Sequence, residues 1–148
     1  MPDIAFHLNA PDRLAYACRL LRKAHAQGAR VLVHGVPADL AQLDLALWRL
    51  EGPDFVPHCI DDDLPHVQVA SPILLSTHAP LTPAFAASVL VNLAPDVPQG
   101  FERFERVIDV VSGFEPEVAQ ARVRWKVYKA SGHEPYAHDL DKIRTPKS

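Results

Sequence analysis

The chain has 148 residues, a length that suits one domain. Hydrophobic residues make up 48% and charged residues 22%, which supplies a core and excludes a disordered chain. The net charge of −3 disfavours a protein that wraps nucleic acid with its whole surface. Two cysteines, Cys18 and Cys59, are too few for a disulfide framework and suit a reducing cytoplasm.

Two further exclusions concern the membrane. No apolar run is long enough for a transmembrane helix. Met1-Pro2-Asp3 lacks the basic and apolar regions of a signal peptide. We therefore expect a cytoplasmic protein with no membrane partner.

Strands and helices alternate in the first third of the chain. The apolar run 4–8 predicts a strand, and 30–34 predicts a second one. Between them, apolar residues recur every three or four positions after Pro11, and Gly28 ends that helix. A second helix is predicted over 38–50. This alternation indicates parallel strands in an α/β fold.

Apolar runs continue in the second half of the chain. Three of them, rich in leucine or β-branched residues, predict buried central strands: 72–77, 88–93 and 106–111. A short helix is predicted over 98–105. A last helix is predicted from Pro116 to about Ser131, with Gly132 ending it.

The pattern as a whole predicts one domain over residues 1–148. We expect a three-layer, Rossmann-like fold with a mostly parallel central sheet and helices on both faces. The segment 51–70 looks irregular, and we expect the polar tail 133–148 to be prone to fraying.

The six glycines give no nucleotide-binding loop. No two of them stand at the spacing of a phosphate-binding motif, so no cofactor is predicted. They are Gly28, Gly35, Gly52, Gly100, Gly113 and Gly132.

One loop keeps an enzyme hypothesis open. Residues 58–66 hold several potential metal ligands: His58, Cys59, Asp61, Asp62, Asp63 and His66. Their spacing matches no recognised zinc motif, so no metal site is predicted. The alternative function is a small metal- or nucleotide-dependent hydrolase that uses this loop. The other interpretation gives the loop no function and leaves solvated acids beside two loop histidines. By contrast, His7 and His34 lie in apolar strand runs, and we expect them to be satisfied core or edge histidines.

The last helix carries a basic and aromatic stripe. Residues 122–129 contain four basic and two aromatic side chains and no acid. At about 100° per residue, Arg122, Lys126 and Lys129 fall within an arc of roughly 60°, with Trp125 beside them. Residues 117–148 hold 7 basic and 4 acidic residues, a net charge of +3 on a chain that is acidic elsewhere.

Three ligands suit such a stripe: phosphates, a stacked base of single-stranded DNA, or an acidic peptide end with an apolar side chain. The stripe is short, which favours a small anionic target over a long duplex. A solvated cationic face is the alternative. A separate apolar stripe is expected to dock on the sheet: Ala119, Val123, Val127 and Ala130. Arg124 and Tyr128 are expected to point elsewhere.

A second candidate surface joins a helix end to a proline-rich loop. Trp48 lies in the last turn of the second predicted helix, and Phe55 follows between two prolines. Large aromatics in such places make good interface anchors, or else cap the core.

The chain resembles a known family, the chi subunit of the bacterial DNA polymerase III holoenzyme. Three stretches carry the resemblance in order and spacing: 30–33 with the helix ending at 43–48, then 55–58, and last 107–111 followed by 122–132. These stretches extend over most of the chain, so together they are stronger evidence for the family than any one of them alone.

The resemblance implies a non-catalytic accessory subunit of the clamp-loader complex with a Rossmann-like fold. It implies two protein partners: the psi subunit, and the acidic C-terminal tail of single-stranded DNA-binding protein. Any association with DNA would be indirect. The tail would bind Arg122, Trp125, Lys126, Lys129, Val111 and Gly132. The psi surface would comprise Trp48, Phe55, Val56 and Pro57. At Val118, one turn before Arg122, a further basic residue can occur in the family.

Overall fold

The computed structural model describes residues 2–50, 52, 55–60, 71–77 and 87–140. These residues form a seven-stranded parallel sheet in the order β3-β4-β2-β5-β6-β1-β7. The strands are β1 Asp3–Ala10, β2 Val31–His34, β3 Cys59–Ile60, β4 Ile73–Ser76, β5 Val89–Asn92, β6 Arg106–Ser112 and β7 Tyr136–Asp139. The helices are α1 Arg13–Ala26, α2 Pro37–Trp48 and α3 Glu117–Ala130, with a 3-10 turn at Phe101–Arg103. The predicted three-layer α/β fold is confirmed.

Local signals in the sequence set the bounds of the first two helices. The Asp12 side chain accepts a hydrogen bond of 3.1 Å from the Ala15 N–H at the start of α1. Gly28, with φ of +77°, follows the end of α1 in the left-handed conformation that glycine adopts easily. Pro37 stands in the first turn of α2, where its missing N–H costs nothing.

Two strands lie where no strand was expected. β3 lies within the segment 51–70 and pairs with β4. β7 pairs with β1 from Ala5–Tyr136 to Leu8–Asp139, so residues 136–139 form an edge strand within the segment that was expected to be prone to fraying. Most of β7 is exposed, because backbone pairing rather than an apolar face holds this edge strand. Residues 141–148 lie outside the described part of the chain.

Alternation along the strands divides the core between the two faces of the sheet. Val31 and Val33 of β2 face α1 and α2, whereas Leu32 between them belongs to the core beneath α3. The surfaces of α2 and α3 therefore lie on opposite sides of the sheet.

The packing of α3 overturns one expectation. Its buried side chains are Ala121, Arg124 and Tyr128, whereas Val123 and Val127 are 61% and 41% exposed. The predicted apolar docking stripe is therefore wrong. A guanidinium can occupy a buried helix face where a buried carboxylate neutralises it, and Asp109 of β6 does so here.

No helix among the described residues is long and apolar enough to span a bilayer.

Candidate functional site

A shallow cavity of about 490 Å³ lies between α3 and the carboxyl ends of β1 and β6. Its lining residues are Phe6, Leu8, Asn9, Val111, Ser112, Val118, Ala121, Arg122, Trp125 and Lys126. Four residues predicted for tail binding thus line one cavity: Arg122, Trp125, Lys126 and Val111. Lys129, further along α3, and Gly132, just beyond the end of α3, are exposed and lie outside the lining.

Aromatic packing fixes the apolar part of this cavity. Trp125 is half-buried, and its ring centroid lies 5.1 Å from that of Phe6. Tyr128 lies one turn nearer the end of α3, and its ring packs edge-on against the same Phe6 with the two ring centroids 5.8 Å apart. Val111 is buried in the adjoining strand. Trp125 therefore has a fixed position and offers a partly exposed indole to a ligand.

The charge in the cavity is positive. Arg122 and Lys126 are both exposed, and each charged side chain in the described part of the lining is a cation. A guanidinium can bind a carboxylate through two parallel hydrogen bonds, whereas an ammonium acts as a mobile point charge. A shallow apolar floor with cations on one rim suits an anion that carries an apolar group.

Two polar residues of the cavity, Asn9 and Ser112, were not predicted from the sequence. Asn9, with φ of +62°, lies at the end of β1 and donates a hydrogen bond of 2.9 Å to Asp139 of β7. Ser112 ends β6 beside it. A Cβ on Gly113 would come within 3.0 Å of the Asn9 Oδ1, so glycine leaves room for this side chain. A polar pair at the ends of neighbouring parallel strands was the available signal.

A buried ion pair supports α3 below the cavity. Arg124 donates to both carboxylate oxygens of Asp109, at 2.8 and 2.9 Å, and to the Pro95 carbonyl at 2.9 Å. Asn92 donates to the same carboxylate at 3.2 Å. Burial raises the pKa of Asp109, and the hydrogen bond and charge of Arg124 oppose that shift. Burial also raises the pKa of the Tyr128 hydroxyl.

A second cluster contains the aromatics predicted at the other surface. Trp48 is 60% exposed, and its ring centroid lies 5.5 Å from Phe55 and 5.1 Å from His58. His58 is held through Asp44 Oδ1, 2.9 Å from its Nε2, and through the Val56 carbonyl, 2.8 Å from its Nδ1. Asp44 and His58 were missed as supports of this surface. Within the same loop, Val56 is buried and Pro57 is exposed.

The loop of the alternative enzyme hypothesis is described only in part. Cys59 is buried in β3, and its Sγ lies 3.6 Å from the Ile73 carbonyl. Asp61, Asp62, Asp63 and His66 lie outside the described residues. Within the described ranges, no three His, Cys, Asp or Glu side chains gather in a metal-binding arrangement.

α/β folds commonly bind ligands in the crevice beyond the carboxyl ends of their strands. In this chain that crevice contains ion pairs between the protein's own side chains. Arg13 contacts Asp39 at 2.8 Å and Glu117 at 3.3 Å, and Arg124 in the same lining binds Asp109. These two cations are neutralised by the protein's own carboxylates.

Comparison with known proteins decides the family. A family model described as DNA polymerase III chi subunit, HolC, matches residues 1–136. The chain belongs to this family. The chain is 32% identical to DNA polymerase III subunit chi of Pseudomonas aeruginosa over 133 residues, which cover 88% of this chain and 89% of that protein. It is 27% identical to the subunit of the same name from Haemophilus influenzae over 117 residues, 78% of this chain and 79% of that protein.

Membership in the chi family confirms the resemblance found in the sequence. It assigns the chain a replication accessory role as a component of the polymerase III holoenzyme. Among solved structures, the C-terminal domain of the DEAD-box protein Dbp5 is similar, with a TM-score of 0.57. That likeness covers 95% of this chain and 91% of the other at 13% identity, so it shows a shared fold alone.

Proposed function

We propose that the chain is a non-catalytic adaptor that joins single-stranded DNA-binding protein to the clamp loader. In this proposal the α3 cavity binds the acidic C-terminal tail of single-stranded DNA-binding protein, and the Trp48 surface binds the psi subunit. The observation that supports it most directly is the convergence of Arg122 and Lys126 on a cavity walled by Trp125 and Val111.

The chemistry of such a tail matches the cavity group by group. The apolar terminal side chain would rest on Trp125 and Val111. The guanidinium of Arg122 would bind the terminal carboxylate with two parallel hydrogen bonds. Lys126 and, one turn further, Lys129 would meet the acidic residues that precede it. Gly132, with φ of +90°, ends the helix and carries no side chain that would hinder the peptide.

Calorimetry with an acidic peptide ending in phenylalanine tests the site. We expect submillimolar to micromolar binding that weakens as salt is raised, because exposed cations supply part of the attraction. Arg122→Ala should reduce the affinity at least tenfold. The same peptide with an amidated C-terminus should bind about as weakly to the unaltered protein.

Arg49→Ala is the matched control, since Arg49 is an exposed arginine at the end of α2, on the opposite side of the sheet. Its tail affinity should equal that of the unaltered protein. Equal binding by Arg122→Ala and the unaltered protein would sink the site assignment.

The psi surface is proposed from the aromatic pair on α2 and the following loop, in which Trp48 is exposed and Phe55 is half-buried. Trp48 and Phe55 would provide the anchors and Pro57 an exposed edge, while buried Val56 would hold the loop beneath them. Trp48→Ala and Phe55→Ala should each abolish co-purification with psi and leave tail-peptide binding intact. Phe114→Ala removes an aromatic that is 68% exposed elsewhere and should keep both partners. Simultaneous loss of both partners would indicate misfolding and would remove the support for this surface.

A further inference from the structure

A cavity of about 400 Å³ lies between α1 and the sheet, on the face opposite α3. This volume falls within the range of small-molecule pockets. Its apolar wall comes from α1 and from the strands β2, β5 and β6. The apolar lining residues are Leu20, Leu21, Val31, Val89, Val91 and Ile108. None of the residues assigned to the tail or to psi lines it.

The rim of this cavity, which we call the α1 cavity, is cationic. Arg19, Lys23 and Arg106 line it, and no carboxylate stands in its described lining. Burial lowers the pKa of the nearby His7 to about 4, with smaller contributions from His138, Arg106 and Lys23. A cationic rim on an apolar cavity favours an anion.

His7 adds an unsatisfied polar group. Its ring lines the cavity and is only 9% exposed, with Nδ1 hydrogen-bonded to the Tyr16 hydroxyl. Nε2 is buried and has no hydrogen-bond partner among the described residues, so the expectation of a satisfied histidine is wrong for this atom within that part of the chain. A buried polar atom without a partner costs roughly 1–3 kcal/mol. A ligand acceptor at Nε2 would remove that cost.

We propose that the α1 cavity binds a small amphipathic carboxylate, whose apolar chain lies against Leu20, Val91 and Ile108 and whose anionic group faces the cationic rim. In the tautomer that carries its proton on Nε2, His7 accepts from Tyr16 at Nδ1 and donates to the carboxylate. Lys23 and Arg106 supply the opposing charge. A ligand that satisfies both the apolar wall and the cationic rim needs both an apolar chain and an anionic group.

Octanoate is the probe, with acetate as the anion without a chain and octanol as the chain without an anion. Binding is followed by amide and imidazole NMR shifts at constant pH. We expect octanoate to bind at least tenfold more tightly than either control compound and to shift the His7 ring resonances. Lys23→Gln and Arg106→Gln should each weaken octanoate binding about three- to tenfold. Ala24→Leu, which places a larger side chain in the lining, should abolish it.

Arg49→Gln removes a surface cation outside the lining and should bind octanoate like the unaltered protein. Equal shifts with acetate would mean that the cations merely attract anions, and equal affinity for octanol would mean that the cavity does not recognise a carboxylate. Either result overturns the proposal. Lys23 and Arg106 are exposed, so their variants decide the question even where Ala24→Leu does not fold.

Discussion

At the scale of single residues, the Arg124–Asp109 pair holds α3 to the sheet. Asp109 is fully buried, and Arg124 is 5% exposed. Removing one partner of a buried pair leaves the other charge without compensation. Arg124→Met should therefore lower the free energy of unfolding by about 3–5 kcal/mol, measured by urea denaturation.

The double variant Arg124→Met, Asp109→Leu is the control for that prediction. Because both charges are replaced by apolar groups, most of the lost stability should return. A loss below about 1 kcal/mol in the single variant would mean that the pair does not hold the helix.

Val118 offers a test of charge in the α3 cavity. It is half-buried, lines the cavity one turn before Arg122, and carries no charge. Val118→Lys should strengthen binding of the acidic tail peptide roughly two- to fivefold at low salt, the size of one exposed ion pair. Calorimetry measures the gain, which should shrink as salt is raised. Val118→Gln has similar length without charge, and a similar gain in that variant would contradict the electrostatic explanation.

His7 should make the fold sensitive to mild acid. Its pKa is about 4 in the folded protein, chiefly because of burial, and 6.5 is its ordinary value. Between those pH values the unfolded chain binds more protons, so stability is lost as the pH falls from about 6.5 to 4. The loss should be roughly 1–3 kcal/mol, measured by urea denaturation across this range. His7→Gln should show a shallower loss over the same range; an unchanged slope would contradict the assignment to His7.

At the scale of elements, apolar runs predicted the five strands that carry the core and the helices between them. β3 and β7 were missed because backbone pairing with β4 and β1 defines them, and their own side chains carry little pattern. Helical spacing predicted that Arg122, Lys126 and Trp125 share one side of α3, and these three residues line the α3 cavity, whereas Lys129 lies outside its lining. The buried face of α3 was assigned wrongly, because the partner of Arg124 lies 15 residues away in β6. The sequence signal for the Arg124–Asp109 pair was Asp109 itself, an acidic residue within the apolar strand run 106–111.

The true buried face of α3 can be tested with two alanine substitutions on one helix. Tyr128 is fully buried against Phe6 and Phe101, so Tyr128→Ala should cost about 3 kcal/mol or more of unfolding free energy. Val123 is 61% exposed, and Val123→Ala should change the unfolding free energy by less than about 0.5 kcal/mol. Thermal and urea unfolding measure both. Equal losses in the two variants would restore the apolar stripe that the sequence suggested.

At the scale of the whole molecule, the sheet separates the two proposed partner surfaces. α2 and the aromatic cluster at Trp48 lie on one side, and the α3 cavity lies on the other. The two surfaces have no residue in common. An adaptor requires this separation, because both partners must be bound at the same time.

Binding of the two partners should therefore be independent. Free energies at distant sites without shared contacts usually add. Titrating the acidic tail peptide into the complex with psi should give the dissociation constant of the free chain within about a factor of two, since a shift of about 0.4 kcal/mol is the error expected for independent sites. The complex made with Arg122→Ala should bind the peptide at least tenfold more weakly, which excludes a site on psi itself. Displacement of psi by the peptide, or a change in affinity beyond about tenfold, would mean that the sheet transmits a structural change between its faces and that the chain acts as a switch between partners.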